Sequence, residues 1–310
     1  QTSFDSISIN DNHHAVMGWQ PSPSLDVAGY ILYRYQNGTW NAFDTVVGIN
    51  NTLFIDTLYD ACIDNRAYAI ASIDSCGNKS EGTFLQPERP ITLHDIGYSV
   101  CAMADTLIWE QYIKLNTTID NYHIWRSENG IDFSLVETIS GQPASNPPPG
   151  VSAIQMWYID ESVDPGINYT FYVQAIFGDA SSSSCKKTVT NYTYKVPLDI
   201  YFVNADVTPG NEINLALEVD TAVYSCLWEI HRINSLTNDV DNFKSLRRSE
   251  VNGPYIEFVD TDVDPQTTSY TYYAKVFDSC SILRLESNHL KTIFLEGSKP
   301  DEQTNHLSWN

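Results

Sequence analysis

The chain has 310 residues, 42% of them hydrophobic and 18% charged, a globular balance rather than that of a disordered chain. Asp and Glu number 39 against 17 Lys and Arg, and the resulting net charge of −22 excludes tracking of a nucleic-acid backbone and opposes anionic lipid. No apolar run approaches the roughly 20 residues that a membrane helix needs, so no membrane insertion is expected.

The amino-acid balance favours strands. There are 19 Tyr, 12 Phe and 7 Trp but only 3 Met, and short alternating segments are divided by Asn, Asp, Gly, Pro and Ser clusters. In chain order, the first landmark is a segment closing on Trp, Ala15-Val-Met-Gly-Trp19. An aromatic segment ending in Arg follows, Tyr30-Ile-Leu-Tyr-Arg34, and then Phe54-Ile-Asp56 and Tyr68-Ala-Ile-Ala-Ser-Ile-Asp74. The set recurs as Thr106-Leu-Ile-Trp109, Tyr122-His-Ile-Trp-Arg126, Tyr158-Ile-Asp160 and Tyr169-Thr-Phe-Tyr-Val-Gln-Ala175. It recurs again as Ile213-Asn-Leu-Ala-Leu217, Trp228-Glu-Ile-His-Arg232, Phe258-Val-Asp260 and Tyr270-Thr-Tyr-Tyr-Ala-Lys-Val276. Asp56, Asp160 and Asp260 are spaced by 104 and 100 residues, and Trp309 lies 200 residues after Trp109.

The repeat divides the chain into modules 1–94, 95–196 and 197–297, with 298–310 as the start of a fourth. In this division Ile91-Thr-Leu93 closes the first module. The joints are short, which points to a semi-rigid rod. The fold class expected is all-β, a tandem row of β-sandwiches.

Six cysteines, with no paired C-x-x-C knuckles, point to an oxidising compartment rather than zinc. Cys101 and Cys185 bracket the second module and are the expected bridge, and Cys226 is expected to reach Cys280. Cys62 and Cys76 flank a strand of about eight residues, too long for an easy bridge, and their pairing stays open.

No residue set makes an active site. There is no nucleophile elbow and no Gly-rich phosphate loop, and His231 falls on a strand where Tyr33 and Trp125 stand in the other modules. The protein is therefore read as a non-enzyme without cofactor. Calcium is the one ion considered, at Asp260, Asp262 and Asp264, whose alternate carboxylates resemble the opening of an EF-hand loop. Pro265 and Thr271 stand where that loop needs Gly and Glu, and the competing reading is an Asp that ends a strand and caps a turn. Trp40, Tyr59 and Trp157 are the aromatic residues considered for facing a ligand, and Asn146-Pro147-Pro-Pro149-Gly150 is read as a stiff loop.

Val163-Asp-Pro-Gly-Ile-Asn-Tyr169-Thr-Phe-Tyr-Val173 resembles the approach to strand F of fibronectin type III domains. The resemblance implies that Tyr169 is a corner tyrosine and Trp109 the core tryptophan of strand B. The third module keeps Val263-Asp-Pro265 and Tyr270. The first lacks the proline and has Asn65 near the tyrosine position, so its corner is expected to be held otherwise, through Cys62. Val27-Ala-Gly-Tyr-Ile-Leu-Tyr-Arg34, Phe54-Ile-Asp-Thr57, Asp74-Ser-Cys-Gly-Asn-Lys-Ser80 and Ile91-Thr-Leu93 resemble modules of large exported Bacteroidota proteins. Those proteins commonly end in a gliding-motility-associated C-terminal domain directing type IX secretion. The resemblance implies an exported, cell-surface or extracellular stalk or adhesin-like segment. It also implies O-glycans at Asp-Ser/Thr steps such as Asp44-Thr45-Val46 and Asp56-Thr57-Leu58. Expected partners are other domains of the same polypeptide and an extracellular glycan or glycoprotein. An accessory array of a secreted hydrolase is the other reading.

Overall fold

A computed structural model describes residues 2–114, 117–142, 151–152, 155–193, 195–223, 226–300 and 302–310. The Asn146–Gly150 loop lies outside the described residues. The chain divides into two compact units, Gln1–Thr193 and Tyr194–Asn310.

The first unit contains two sandwiches. In the first, β1 (Phe4–Ile9), β2 (Ala15–Trp19) and β5 (Leu53–Asp56) form one antiparallel sheet, and β3 (Val27–Gln36), β4 (Thr39–Val47) and β6 (Tyr68–Asp74) the other. In the second, β7 (Gly97–Ser99), β8 (Ala104–Glu110) and β11 (Gln155–Asp160) face β9 (Asn121–Ser127), β10 (Ser134–Ser140), β12 (Asn168–Phe177), β13 (Ala180–Ser183) and β14 (Lys187–Thr190). The second unit repeats the plan. There β15 (Ile200–Val207), β16 (Ile213–Val219) and β19 (Tyr255–Asp260) face β17 (Cys226–Asn234), β18 (Val240–Arg247), β20 (Tyr270–Asp278), β21 (Leu283–Glu286) and β22 (Leu290–Lys291). A final hairpin pairs β23 (Leu295–Ser298) with β24 (His306–Trp309).

A three-stranded sheet of first, second and fifth strands against a sheet of the rest is the fibronectin type III-like arrangement of an immunoglobulin-like sandwich. The alternation along each strand explains it. Tyr169, Phe171, Val173 and Ala175 point inward from β12 and are buried, while the residues between them stay partly exposed. Chain reversal follows local chemistry. Asn37 and Gly38 both have positive φ (53° and 81°), as the two-residue turn joining β3 to β4 requires.

Large rings fill the cores. Trp19 meets Tyr30 edge-on at 5.3 Å and Trp109 meets Tyr122 at 5.5 Å. In the third sandwich Leu217 stands at the Trp19 register, opposite Phe202 as Trp19 is opposite Phe4. The indole moves to the neighbouring sheet as Trp228, fully buried at the position of Tyr30 and Tyr122. Corner tyrosines are present in two sandwiches: the Asp164 amide donates to the Tyr169 hydroxyl (3.0 Å) and the Asp264 amide to that of Tyr270 (2.9 Å).

The first sandwich corrects the sequence reading. Arg66 holds the corner position two residues before Tyr68, and Asn65 instead donates to the Pro90 carbonyl. Arg66 pairs with Asp64 and lies 3.6 Å over the Tyr59 ring, which supplies the flat partner that a corner tyrosine would have been.

Two boundaries also move. Ile91 and Leu93 belong to the second core: Leu93 bridges to Trp109, His94 donates to the Ile108 carbonyl (2.9 Å) and Glu110 to that of Thr92 (2.9 Å). Ile91-Thr-Leu93 therefore opens the second sandwich instead of closing the first, because these backbone bonds run to β8. The last hairpin likewise begins at Leu295 rather than 298, with Leu295 opposite Trp309.

A guanidinium–carboxylate contact recurs between the sheets of each sandwich. Arg34 on β3 reaches Asp56 at the end of β5 (2.6 Å), Arg126 reaches Asp160 (2.7 Å), and Arg232 reaches Asp260 (3.0 Å). Tyr68 and Tyr272 add hydroxyl donors to Asp56 (3.0 Å) and Asp260 (2.8 Å). Arg34→Met removes the cation and leaves Asp56 buried. The expected cost is about 3–5 kcal/mol in the urea unfolding of the first unit, and a loss under 1 kcal/mol would show that the pair does not tie the sheets.

Candidate functional site

The staple of the first unit decides where a site can form. Cys62, in the loop after β5, is disulfide-bonded to Cys185, between β13 and β14, with Cα atoms 5.6 Å apart. This overturns the expected Cys101–Cys185 bridge. Position along the chain suggested a bond within one module, but Cys185 packs into the first core from the neighbouring sandwich. Cys101 and Cys280 are each disulfide-bonded. Cys226 is a free, buried thiol, pushed up to about 11 by burial, so it does not bridge to Cys280. Cys76 is free and exposed, so it does not bridge to Cys62.

Polar contacts surround the staple. The Ser182 hydroxyl donates to the Ile7 carbonyl (2.5 Å), and the Ser183 amide to the Ser8 hydroxyl (3.2 Å). The Tyr112 hydroxyl accepts from the Ile7 amide (3.3 Å) and donates to buried Glu88 (3.3 Å). The Lys114 ammonium donates to the Phe4 carbonyl (2.6 Å) and lies 3.5 Å from Glu88. Burial raises the Glu88 carboxyl, with Lys114 opposing.

Beside this seam opens a groove of about 330 Å³, lined by Asp11, His13, Phe133, Tyr172, Ser183 and Lys186 among others. Lys186 pairs with Asp11 (2.7 Å) and lies 4.6 Å over the Phe133 ring. Phe133 meets Tyr172 edge-on at 5.1 Å, and Tyr172 stacks on Trp125 at 5.9 Å. The groove is thus an aromatic floor with a charged rim. Phe133, Tyr172 and Lys186 were not singled out from sequence. The signal for Tyr172 was there, since it is the outward residue between inward Phe171 and Val173.

A second aromatic patch lies on the outer face of the first sandwich. Trp40 is half-buried, 5.2 Å from Tyr35 and 5.5 Å from Phe84, which meets Tyr33 at 4.8 Å. The third sandwich carries a stack at the same strand positions, with His231, Tyr273 and His289 at successive spacings of 4.9 and 4.6 Å. Tyr59 is no open platform, because the Arg34 and Arg66 guanidiniums lie 4.0 and 3.6 Å from its ring centre. Trp157 is half-buried on β11, away from these patches in register, opposite Ile108.

The acidic run of the third sandwich is structural at its first member. Asp260 is buried, accepts from Arg232 and Tyr272, and caps the turn by accepting from the Asp262 amide (3.1 Å). Asp262 is exposed and lies 3.5 Å from Arg232, while Asp264 accepts from the Gln266 amide (3.2 Å). A dication here would have to compete with a guanidinium already in place. Among the described residues, ligand-type atoms converge instead at His13, Asp60 and Cys62, and the Cys62 sulfur is committed to its disulfide. His13 contacts Asp60 at 3.0 Å, which lowers the Asp60 carboxyl.

No family model matches the chain, and no curated protein matches it. Among solved structures, the FN1–FN3 domains of chicken CNTN1 are similar at 15% identity, covering 94% of this chain and 96% of that chain, with a TM-score of 0.35. The selenomethionine-substituted chicken interferon gamma receptor alpha chain is similar at 14% identity, covering 66% and 96%, with a TM-score of 0.26. The fold assignment rests on the strand order above. Among the described residues, no helix is long and apolar enough to cross a membrane.

Asp105 is a strongly perturbed carboxylate. It is fully buried on β8, directly opposite Asp160, where the other sandwiches have Ala15 and Ile213. Burial pushes it up to about 6, the Asp160 charge adds to this, and the Asn191 amide (3.3 Å) and Arg126 oppose it. The folded chain therefore holds a proton that the unfolded chain releases near pH 4. That contribution is full below pH 4 and is lost as pH rises through about 6. Asp105→Asn should stabilise the first unit by about 1–3 kcal/mol at pH 7.5, with little change at pH 4. Chemical unfolding at the two pH values measures this, and equal effects at both would show that the carboxyl is not held protonated.

Proposed function

We propose that the chain is a non-enzymatic, exported spacer, a stalk or adhesin-like segment that holds other domains of the same polypeptide away from a surface. The observation that carries this reading is the seam of the first unit, where two sandwiches that each own a core are joined by a disulfide and by hydrogen bonds from Ser182, Ser183 and Tyr112. Independent domains on a loose tether need no such seam, whereas a spacer depends on its joints for reach. Disulfides persist in oxidising compartments, which supports export. The finer assignment, a Bacteroidota surface protein using type IX secretion, rests on the sequence resemblance alone, and a gliding-motility-associated C-terminal domain in the full reading frame is its test. The reading invokes no cofactor.

Cys62→Ser tests the spacer. Removing the bridge costs roughly 2–4 kcal/mol, and the seam should open before either core. Amide exchange of Ile7 and Ser183 is expected to accelerate at least tenfold while the Trp109 core stays protected. Unchanged exchange at both amides would mean that the joint is not held by the staple.

A second reading is favoured by the aromatic patches at Tyr33–Trp40–Phe84 and Trp125–Tyr172–Phe133. Flat rings beside hydrogen-bonding side chains suit stacking against sugar faces, so the segment would also bind extracellular glycan. Trp40→Ala and Tyr172→Ala should each weaken binding at least tenfold in a polysaccharide array. Saturable binding that survives both changes would place the contact elsewhere.

A further inference from the structure

The hairpin turns that end β6 and β20 share an Asp-Ser-Cys start and the same backbone hydrogen bonds. Asp74 Oδ1 accepts from the Cys76 amide (2.9 Å) and the Asn78 amide (2.8 Å), and Asp278 Oδ1 accepts from the Cys280 amide (2.8 Å) and the Ile282 amide (3.0 Å). The Asp74 amide returns to the Asn78 carbonyl (2.9 Å) and the Asp278 amide to that of Ile282 (3.1 Å). Gly77 and Ser281 both have positive φ (87° and 61°). The same Asp-Ser-Cys turn thus presents a sulfur at the same place in the first and third sandwiches. In the third that sulfur, Cys280, is disulfide-bonded, and in the first Cys76 is an exposed thiol.

The second sandwich supplies the other half of the argument. Its cysteine between β13 and β14, Cys185, bonds to the loop after β5 of the sandwich before it. A sandwich of this chain thus takes a covalent tie from a neighbour through a cysteine that follows its long strand, although Cys185 lies past the turn that Cys76 and Cys280 share. Cys226 shows the contrast, since it is buried and committed to the third core.

We propose that Cys76 is a cross-linking site, taking up a cysteine thiol from a loop of another sandwich. The step is a two-electron oxidation. The two S–H bonds are lost, one Sγ–Sγ bond forms, and a disulfide-bearing exchange partner accepts the two electrons and two protons and is itself reduced to two thiols. Exposure fits the chemistry, because exchange requires in-line access of a thiolate to the partner sulfur. A further sandwich of the same polypeptide or a second copy of this chain would supply the thiol, and the chemistry is the same for both.

The test is disulfide mapping of the full polypeptide isolated from its native source, alkylated before unfolding, digested without reductant and read by mass spectrometry. The peptide carrying Cys76 is expected in a cross-link. A partner peptide from outside residues 1–310 identifies a further sandwich. A Cys76–Cys76 peptide, with a doubled mass on non-reducing gels that Cys76→Ser abolishes, identifies a second copy. Cys76 recovered alkylated, or capped by a small thiol such as glutathione, would overturn the proposal. Cys76→Ser should leave the Cys62–Cys185 peptide intact, so a failure to fold would be recognised separately.

Discussion

Among the described residues the two sheets of each sandwich share no strand pairing, and a polar tie that recurs across the gap is the Arg–Asp contact at Arg34–Asp56, Arg126–Asp160 and Arg232–Asp260. Each aspartate does two things. One oxygen caps the turn after its strand, accepting from the amides of Leu58, Ser162 and Asp262, and the carboxylate meets the guanidinium from the other sheet. The turn and the sheet-to-sheet register are therefore fixed by the same residue. A slip of one position would turn the arginine outward and strand a buried carboxylate, a cost far larger than the pair's net contribution to stability.

The aromatic core is arranged around this tie. Tyr68 and Tyr272 donate to the same carboxylates, and at their register in the second sandwich Phe171 has no hydroxyl to give. There Ser162 supplies the extra polar contact, its hydroxyl donating to Asp160 and accepting from Arg126. The second sandwich also adds Asp105 against Asp160, a buried carboxyl whose affinity for a proton is raised by burial. A repeat that is uniform in backbone is thus uneven in electrostatics.

Much of this was legible in the sequence. The spacing of Arg34, Arg126 and Arg232 and of Asp56, Asp160 and Asp260 marked the strands that carry the tie, and Tyr169 and Tyr270 marked the corners. The cysteines were misread because a bond between neighbouring modules leaves no trace in spacing: Cys62 and Cys185 are 123 residues apart and meet only when two sandwiches dock. Ile91 and Leu93 were given to the wrong sandwich for a related reason, since an apolar alternating segment at a joint does not say which neighbour it pairs with. The groove residues Phe133 and Lys186 come from opposite edges of one sheet and meet Asp11 only across the seam.

The seam places one candidate site of the first unit between its two sandwiches. Rings occupy each core, with Trp109 and Trp228 fully buried. One concavity lies where the two sandwiches of the first unit meet, at Asp11, Tyr172 and Lys186. The shape of this groove therefore depends on the rigidity of the joint. A hinged seam would scatter the groove's lining, whereas the Cys62–Cys185 bond and the serine contacts from β13 hold the Asp11 turn beside Phe133. The same staple thereby preserves the shape of this groove.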